Sequence, residues 1–145
     1  MPSLTAAIGV YGPVVDLAVL VSGPRRRALE QVGKQVPTPF LIQALIDTGA
    51  ACTCVDPAVI GKLGLTPTGT VQIRTPSTGA GTHACNQYDL AFAVMMHDDF
   101  KIIDTIPVIE AHLAQQGHLA LIGRDILSQG IMIYNGPANS VTISF

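Results

Sequence analysis

Residues 44–50 of the chain read Ala-Leu-Ile-Asp-Thr-Gly-Ala, an apolar run that leads directly into an acid, a hydroxyl residue and a glycine. An apolar run followed by turn residues is typical of a buried strand. Asp47 could simply end that strand, because an aspartate often accepts hydrogen bonds from the backbone of the turn that follows it. The Asp-Thr-Gly triplet at residues 47–49 also suggests a catalytic carboxylate. Alone it does not decide between a catalytic residue and a residue that only ends a strand.

The composition limits the classes of protein to consider. The chain has 145 residues, enough for one domain with a core of its own. Only 12% of the residues are charged and 48% are hydrophobic, which excludes a disordered chain and suggests that a partner covers some apolar surface. The net charge of -2 does not favour nucleic-acid binding. The longest apolar stretch near the start contains Asp16, so we expect no membrane span.

The cysteines and histidines do not indicate a metal site. Cys52 and Cys54 are close in sequence and Cys85 is distant, without the spacing of a zinc site. We expect small, buried or half-buried thiols in a reducing compartment, and therefore a cytoplasmic location. The histidines also lack metal-ligand spacing and are expected on the surface or in loops: His83, His97, His112 and His118. We therefore expect neither a metal nor an organic cofactor.

Frequent glycines and prolines divide the chain into short pieces. Runs rich in Val, Ile, Phe and Thr predict strands at residues 14–21, 40–46, 70–74, 83–96, 100–109, 120–122, 131–134 and 141–145. Helix signals are few: Asp56 before Pro57 predicts one short helix, and residues 124–129 are a second candidate. The pattern predicts an all-β fold, a closed barrel or sandwich with one or two short helices.

We interpret residues 1–145 as a single domain with two additions. Residues 1–13 are expected to be an N-terminal extension. Residues 22–39, which contain three consecutive arginines and several prolines and glycines, are expected to be an exposed loop insertion that could contain one helical turn.

Further motifs give the Asp-Thr-Gly triplet a context. A second apolar strand ends in Leu-Ile-Gly at residues 121–123 and continues as Arg-Asp-Ile-Leu, and residues 87–89 read Gln-Tyr-Asp. Residues 76–82, Pro-Ser-Thr-Gly-Ala-Gly-Thr, suit the tip of a flexible hairpin. With these motifs in this order, the chain resembles the retropepsins, the aspartic peptidases of retroviruses and their cellular and bacterial relatives. The resemblance covers about residues 40–145, and loosely residues 14–21.

The resemblance implies an aspartic endopeptidase that forms one half of a symmetric dimer. In it Asp47 would be the catalytic acid, Thr48 would brace the two active-site turns across the interface, and Gly49 would let the backbone approach closely. The substrate would be an extended peptide, covered by the hairpin acting as a flap. The expected substrate contacts are Ala50, Ala51, Ser77, Thr78, Gly79, Ala80, Gly81 and Ile122.

The chemistry also requires a second copy of the chain. Hydrolysis by carboxylates needs two of them sharing one proton, and this chain offers one suitable acid. Asp104 is not followed by the required glycine, Asp98 and Asp99 are adjacent in a turn, and Asp125 begins a predicted helix. Two-fold symmetry would supply a second Asp47. The resemblance further implies that the chain termini interleave between subunits, with residues 141–145 in the shared sheet.

Three questions remain open at this point. Retroviral members commonly carry acidic residues after the triplet that pair with the arginine of the Gly-Arg motif, whereas this chain has Ala51 and Cys52. Arg124 therefore needs another acceptor, for which Asp125 and Asp89 are candidates. The alternative to an enzyme is a proteolytically inactive module of the same fold, kept for protein binding or dimerisation. The chain could also be one piece of a longer precursor.

Overall fold

The computed structural model describes residues 1–76 and 79–145. In chain order, the helices and strands of this part are β1 (Ser3–Gly9), β2 (Gly12–Val21), α1 (Gly23–Gln31), β3 (Phe40–Ile46), β4 (Cys54–Val55), α2 (Pro57–Leu63), β5 (Gly69–Ile73), β6 (His83–Met95), β7 (Phe100–Glu110), a 3-10 turn (Ala114–Gln116), β8 (Ala120–Ile122), α3 (Arg124–Leu127), β9 (Ile131–Asn135) and β10 (Ser140–Ser144). None of these helices is long and apolar enough to cross a membrane.

Six strands close into a barrel. The strands β6, β7, β4, β8, β3 and β2 are hydrogen-bonded in that order, and β2 then pairs back with β6. The interior is filled by fully buried side chains such as Leu17, Leu90, Phe92 and Ile122. Burial of this kind is the main stabilising contribution in a domain without disulfides. The predicted all-β closed barrel is confirmed.

The two chain ends form a three-stranded extension of the sheet. β10 lies in the middle, paired antiparallel with β1 from Ser3↔Ser144 to Ala7↔Ser140 and with β9 from Ser140↔Asn135 to Ser144↔Ile131. Residues 1–13, expected to be an N-terminal extension, thus contain a strand, β1, that is hydrogen-bonded into the sheet. That strand alternates small and apolar residues, and its apolar side chains pack against the core.

Residues 22–39, expected to be an exposed loop that could contain one helical turn, begin with a longer helix, the nine-residue α1. Ser22 caps this helix by accepting a hydrogen bond from Arg25 N at 3.4 Å, and a proline occupies the first turn. Gly23 packs directly against the carboxylate of Asp104, which also lies 3.5 Å from Arg27 Nη1. Because α1 is almost entirely exposed, it lacks the apolar periodicity that marks a helix in sequence.

The predicted helix after Asp56 is confirmed as α2, and it is tied to a distant loop. Asp56 Oδ1 accepts from Ala58 N at 2.9 Å, which caps the helix, and Gly64 ends it in the left-handed conformation at φ 61°. The other oxygen, Oδ2, accepts from Leu113 N at 2.8 Å and Ala114 N at 2.9 Å. Burial opposes the charge of Asp56, but these three backbone donors hold its pKa below the ordinary value.

Candidate active site

Parallel pairing of β3 and β8 brings the two sequence motifs together. The pairs run from Ala44↔Ala120 to Ile46↔Ile122, so both strands end at the same place. The pairing continues one step further, where Asp47 N donates to Ile122 O at 2.9 Å. The Asp-Thr-Gly turn and the Gly-Arg-Asp segment, more than 70 residues apart in sequence, therefore lie side by side.

The turn after β3 holds the Asp47 side chain by its own backbone. Gly49 N donates to Asp47 Oδ1 at 2.8 Å, and Ala50 N donates to Asp47 O at 3.2 Å. A Cβ at Gly49 would lie 3.1 Å from that carboxylate oxygen, which is tight enough to disturb the contact. Asp47 is half-buried, while Thr48 and Gly49 are exposed. One carboxylate oxygen is thus fixed, and the other accepts no hydrogen bond from the part of the chain described here.

Arg124 clamps the same turn through backbone carbonyls. Its Nη1 donates to Thr48 O at 2.8 Å and to Gly49 O at 3.1 Å, and its backbone N donates to Ala50 O at 2.9 Å. Neither Asp125 nor Asp89, the acceptors considered from sequence, receives this guanidinium within the described residues. A guanidinium presents several donors in a rigid plane, so it can hold two carbonyls at once where the chain provides no acid.

Thr53 and Asp125 connect the loop that follows the Asp-Thr-Gly turn with the segment that follows β8. Asp125 accepts from Thr53 N at 2.9 Å and from Thr53 Oγ1 at 2.8 Å, and Thr53 Oγ1 accepts from Gly123 N at 3.1 Å. Thr53 is fully buried. Sequence reasoning missed it, although a hydroxyl residue two positions before a buried valine was a signal. The close approach of these two loops also explains why residue 123 is a glycine, since a Cβ there would lie 2.6 Å from the carbonyl carbon of Cys52.

The remaining predicted substrate residues are distributed unevenly. Ala50 is half-buried and Ala51 is exposed, both immediately beyond the turn. Ile122 is only 2% exposed, so its side chain belongs to the core under the turn and offers almost no surface to a peptide. The expected substrate contact at Ile122 therefore needs correction. The adjacent Leu121 is half-buried and keeps some accessible surface.

The hairpin predicted as a flap is formed by β5 and β6, which pair antiparallel from Gly69↔Gln87 to Ile73↔His83. Gly79, Ala80 and Gly81 are exposed in the connection, and Gly79 has a φ of 58° that favours glycine. Ser77 and Thr78, also predicted to contact substrate, lie outside the described residues.

The thiols near the turn are poor candidates for a nucleophile. Burial, with smaller contributions from Cys52 and Asp125, raises the pKa of Cys54 to about 12. Burial and the charge of Asp125 also raise the pKa of Cys52. Because the thiolate is the reactive form, both groups should react more slowly at neutral pH than an ordinary exposed cysteine. All three cysteines are free and partly buried, as expected from sequence.

His118 lies in a loop, as expected, but its side chain is buried. His118 is 7% exposed, and neither ring nitrogen finds a partner among the described residues. It follows Gly117, which has a φ of 86°, and precedes β8, so it lies in the connection that leads into the barrel. Within residues 1–76 and 79–145, no three His, Cys, Asp or Glu side chains are arranged to hold a metal ion.

Comparison with known proteins gives a structural likeness without a sequence match. No family model matches the chain, and no curated protein sequence matches it. A retropepsin-like aspartic protease from Rickettsia conorii aligns with a TM-score of 0.58 and 15% identity, over 97% of this chain and 89% of that one. Two other structures align less well. The retroviral protease-like domain of Ddi1 from Leishmania major has a TM-score of 0.47 and 18% identity, over 90% of this chain and 88% of that one. The EIAV protease has a TM-score of 0.40 and 15% identity, over 81% of this chain and 86% of that one. The closed barrel, the paired loops at its end and the Rickettsia likeness lead to one conclusion: this chain has a retropepsin-like fold.

Proposed function

We propose that the chain is an aspartic endopeptidase whose catalytic dyad consists of two copies of Asp47, one from each subunit of a homodimer. The observation that carries the proposal is the construction of the turn. Asp47 is half-buried and fixed through one oxygen, and the backbone around it is clamped by Arg124. A turn that only ended a strand would account for the hydrogen bond from Gly49 N, but it would not require an arginine on the carbonyls of Thr48 and Gly49.

The chemistry needs two carboxylates that share one proton. One of them takes a proton from water as the water oxygen attacks the peptide carbonyl, and the protonated one donates a hydrogen bond to that carbonyl oxygen. The proton then passes to the leaving nitrogen, and the bond between carbon and nitrogen breaks. Asp125 cannot be the second acid within the chain, because both of its oxygens are occupied by Thr53.

The substrate we propose is an extended peptide. An extended chain can bind by backbone hydrogen bonds beside the exposed edge of the turn, near Ala50 and Ala51. The β5–β6 hairpin, whose connection contains Gly79 and Gly81, is proposed as the flap that closes over it. Apart from Asp47 itself and Arg124, no charged side chain lies within residues 44–54 or 119–124, so we expect preference for apolar residues next to the cleaved bond.

The direct test compares wild type with Asp47→Asn on a mixture of denatured proteins. The substitution keeps the size and the hydrogen bond from Gly49 N but removes the acid. Asp98→Asn is the matched control, because Asp98 is exposed in the turn between β6 and β7. Cleavage by wild type and by Asp98→Asn, but not by Asp47→Asn, is the expected result. Equal cleavage by all three, or none by any, would contradict the proposal and favour an inactive module.

Dilution tests the shared dyad. If each subunit supplies one carboxylate, specific activity must fall as the protein is diluted through the range in which the dimer dissociates. Specific activity that stays constant down to concentrations where sedimentation shows only monomer would contradict a dyad made from two subunits.

A further inference from the structure

The sheet formed by β1, β10 and β9 carries no charged side chain. The first 15 residues and the last 20 residues of the chain contain no Asp, Glu, Lys or Arg. One face of the sheet packs on the core through Val141 and Ile143. The opposite face is lined by uncharged side chains placed opposite one another by the register: Ser3, Thr5, Ala7, Ser140, Thr142, Ser144, Ile131, Ile133 and Asn135.

β9 is the unprotected edge of this sheet. It pairs with β10 on one side and with no other strand of the described chain on its other side. Ile131, Ile133 and Tyr134 are 58%, 59% and 59% exposed. Monomeric proteins usually protect such an edge with a charge, a proline or a bulge, because unpaired backbone groups recruit other strands. β9 has none of these protections.

β10 cannot have the role that the sequence suggested for residues 141–145. Both of its edges are already occupied by strands of the same chain, over five residue pairs each. A sheet with interleaved termini would have to break one of these pairings. The strand available for joining two copies is therefore β9.

We propose that two copies of the chain join through their β9 edges, antiparallel across a two-fold axis near Ile133, to form one continuous six-stranded sheet. The proposal rests on the proposed function for the identity of the partner, since a site with a single Asp47 is incomplete without a second copy. Antiparallel pairing of a strand with its own copy is self-complementary, as a two-fold interface requires. It satisfies the unpaired backbone groups and covers the exposed isoleucines of both copies.

The position of β9 in the chain links this interface to the active site. β9 follows α3 after a short turn, and α3 begins with Arg124, which clamps the Asp47 turn. In that turn Gly130 packs against Ser144 O, at a position where a Cβ would clash, so the start of β9 is held close to the end of β10. Six residues, 125–130, therefore separate the clamp from the strand that would meet the partner.

Sedimentation of two lysine variants tests the surface. Ile133→Lys places a charge beside the proposed axis, whereas Leu41→Lys places one on β3, where Leu41 is 70% exposed. Far-UV circular dichroism and cooperative thermal unfolding confirm that each variant folds. We expect wild type and Leu41→Lys to be dimers. For Ile133→Lys we expect the dissociation constant of the dimer to rise by about 100-fold or more. A folded Ile133→Lys that dimerises like wild type would overturn the proposal, as would a wild type that stays monomeric at every concentration.

Cross-linking tests the two-fold axis directly. Ile133→Cys should form a disulfide-linked dimer with a mild oxidant such as copper phenanthroline, because antiparallel neighbours bring the two sulfurs within bonding distance. The control Val10→Cys, at a position 99% exposed on the β1–β2 turn, and wild type with its own three thiols should stay monomeric in a non-reducing gel. Equal cross-linking of both variants, or linked species larger than dimers, would overturn the proposal. A β9 dimer in which Asp47→Asn does not change the activity would instead refute the proposed function and leave this interface standing.

Discussion

Replacing Thr53 with valine removes one buried hydroxyl and preserves the shape of the side chain. That hydroxyl donates to Asp125 Oδ1 at 2.8 Å and accepts from Gly123 N at 3.1 Å. It therefore connects the loop after the Asp-Thr-Gly turn with the loop that carries Arg124. The substitution tests whether the junction beneath the active-site turn is held by this group or by packing alone.

The expected cost follows from the two bonds that are lost. The Gly123 N–H would be left buried without a partner, which costs about 1 to 3 kcal/mol. The lost hydrogen bond to a carboxylate contributes about 1.5 to 3 kcal/mol, although Asp125 keeps the bond from Thr53 N. Because neighbouring effects do not add fully, we expect a loss of about 2 to 4 kcal/mol in the free energy of unfolding.

Urea unfolding followed by far-UV circular dichroism measures this loss, since the chain has no tryptophan to report by fluorescence. Two controls separate the hydroxyl from other effects. Thr53→Ser keeps the hydroxyl and removes only a methyl group, at a cost of about 1 kcal/mol. Thr68→Val makes the same chemical change at an exposed position and should change stability by less than about 0.5 kcal/mol. If Thr53→Val were no less stable than Thr68→Val, or than Thr53→Ser, the reasoning would be refuted.

Four further predictions concern other groups. Gly123→Ala should cost about 3 kcal/mol or more in urea unfolding, because its Cβ would lie 2.6 Å from the carbonyl carbon of Cys52; unchanged stability would disprove that close contact. Asp56 has a pKa below its ordinary 3.8, so wild type should lose stability as pH falls below about 4 and through the folded pKa, and Asp56→Asn should lack this part of the pH dependence. Cys54, with a pKa of about 12, should react with a thiol reagent at neutral pH far more slowly in the native chain than in urea, and equal rates would contradict its burial. Because the proposed mechanism needs one protonated and one ionised carboxylate, the activity should depend on pH as a bell-shaped curve, and a rate that does not change between about pH 3 and about pH 8 would argue against a shared dyad.

The barrel could be predicted from sequence because its strands carry their own signals. β2, β3 and β6 contain runs of apolar residues, and turn residues bound them. α2 was predictable from Asp56, Pro57 and Gly64, which mark its two ends. By contrast, α1 was missed because an exposed helix has no apolar stripe, and β1 because its small residues give a weak alternation.

The site was predictable in part. The Asp-Thr-Gly and Leu-Ile-Gly-Arg-Asp motifs identified the residues that meet at the end of the barrel, and parallel pairing of β3 with β8 brings them together. The sequence could not identify the hydrogen-bond acceptors of Arg124, because they are backbone carbonyls, which every residue has whatever its side chain. Nor could it show that Ile122 faces inward, since an apolar residue at the end of a short strand suits either face.

The low charge of the chain is concentrated where two copies would meet. At the average of 12%, the first 15 and last 20 residues together would carry about four charged side chains, and they carry none. A larger core would not explain this, because one face of the β1–β10–β9 sheet is exposed and Ile131 and Ile133 lie on it. The Asp47 turn, in contrast, is held entirely by its own chain, through Arg124 and Gly49. A single copy should therefore fold with its Asp47 turn already in place and lack only the second carboxylate. The folded Ile133→Lys monomer should be inactive because it has no partner, and it should regain activity at concentrations that restore the dimer.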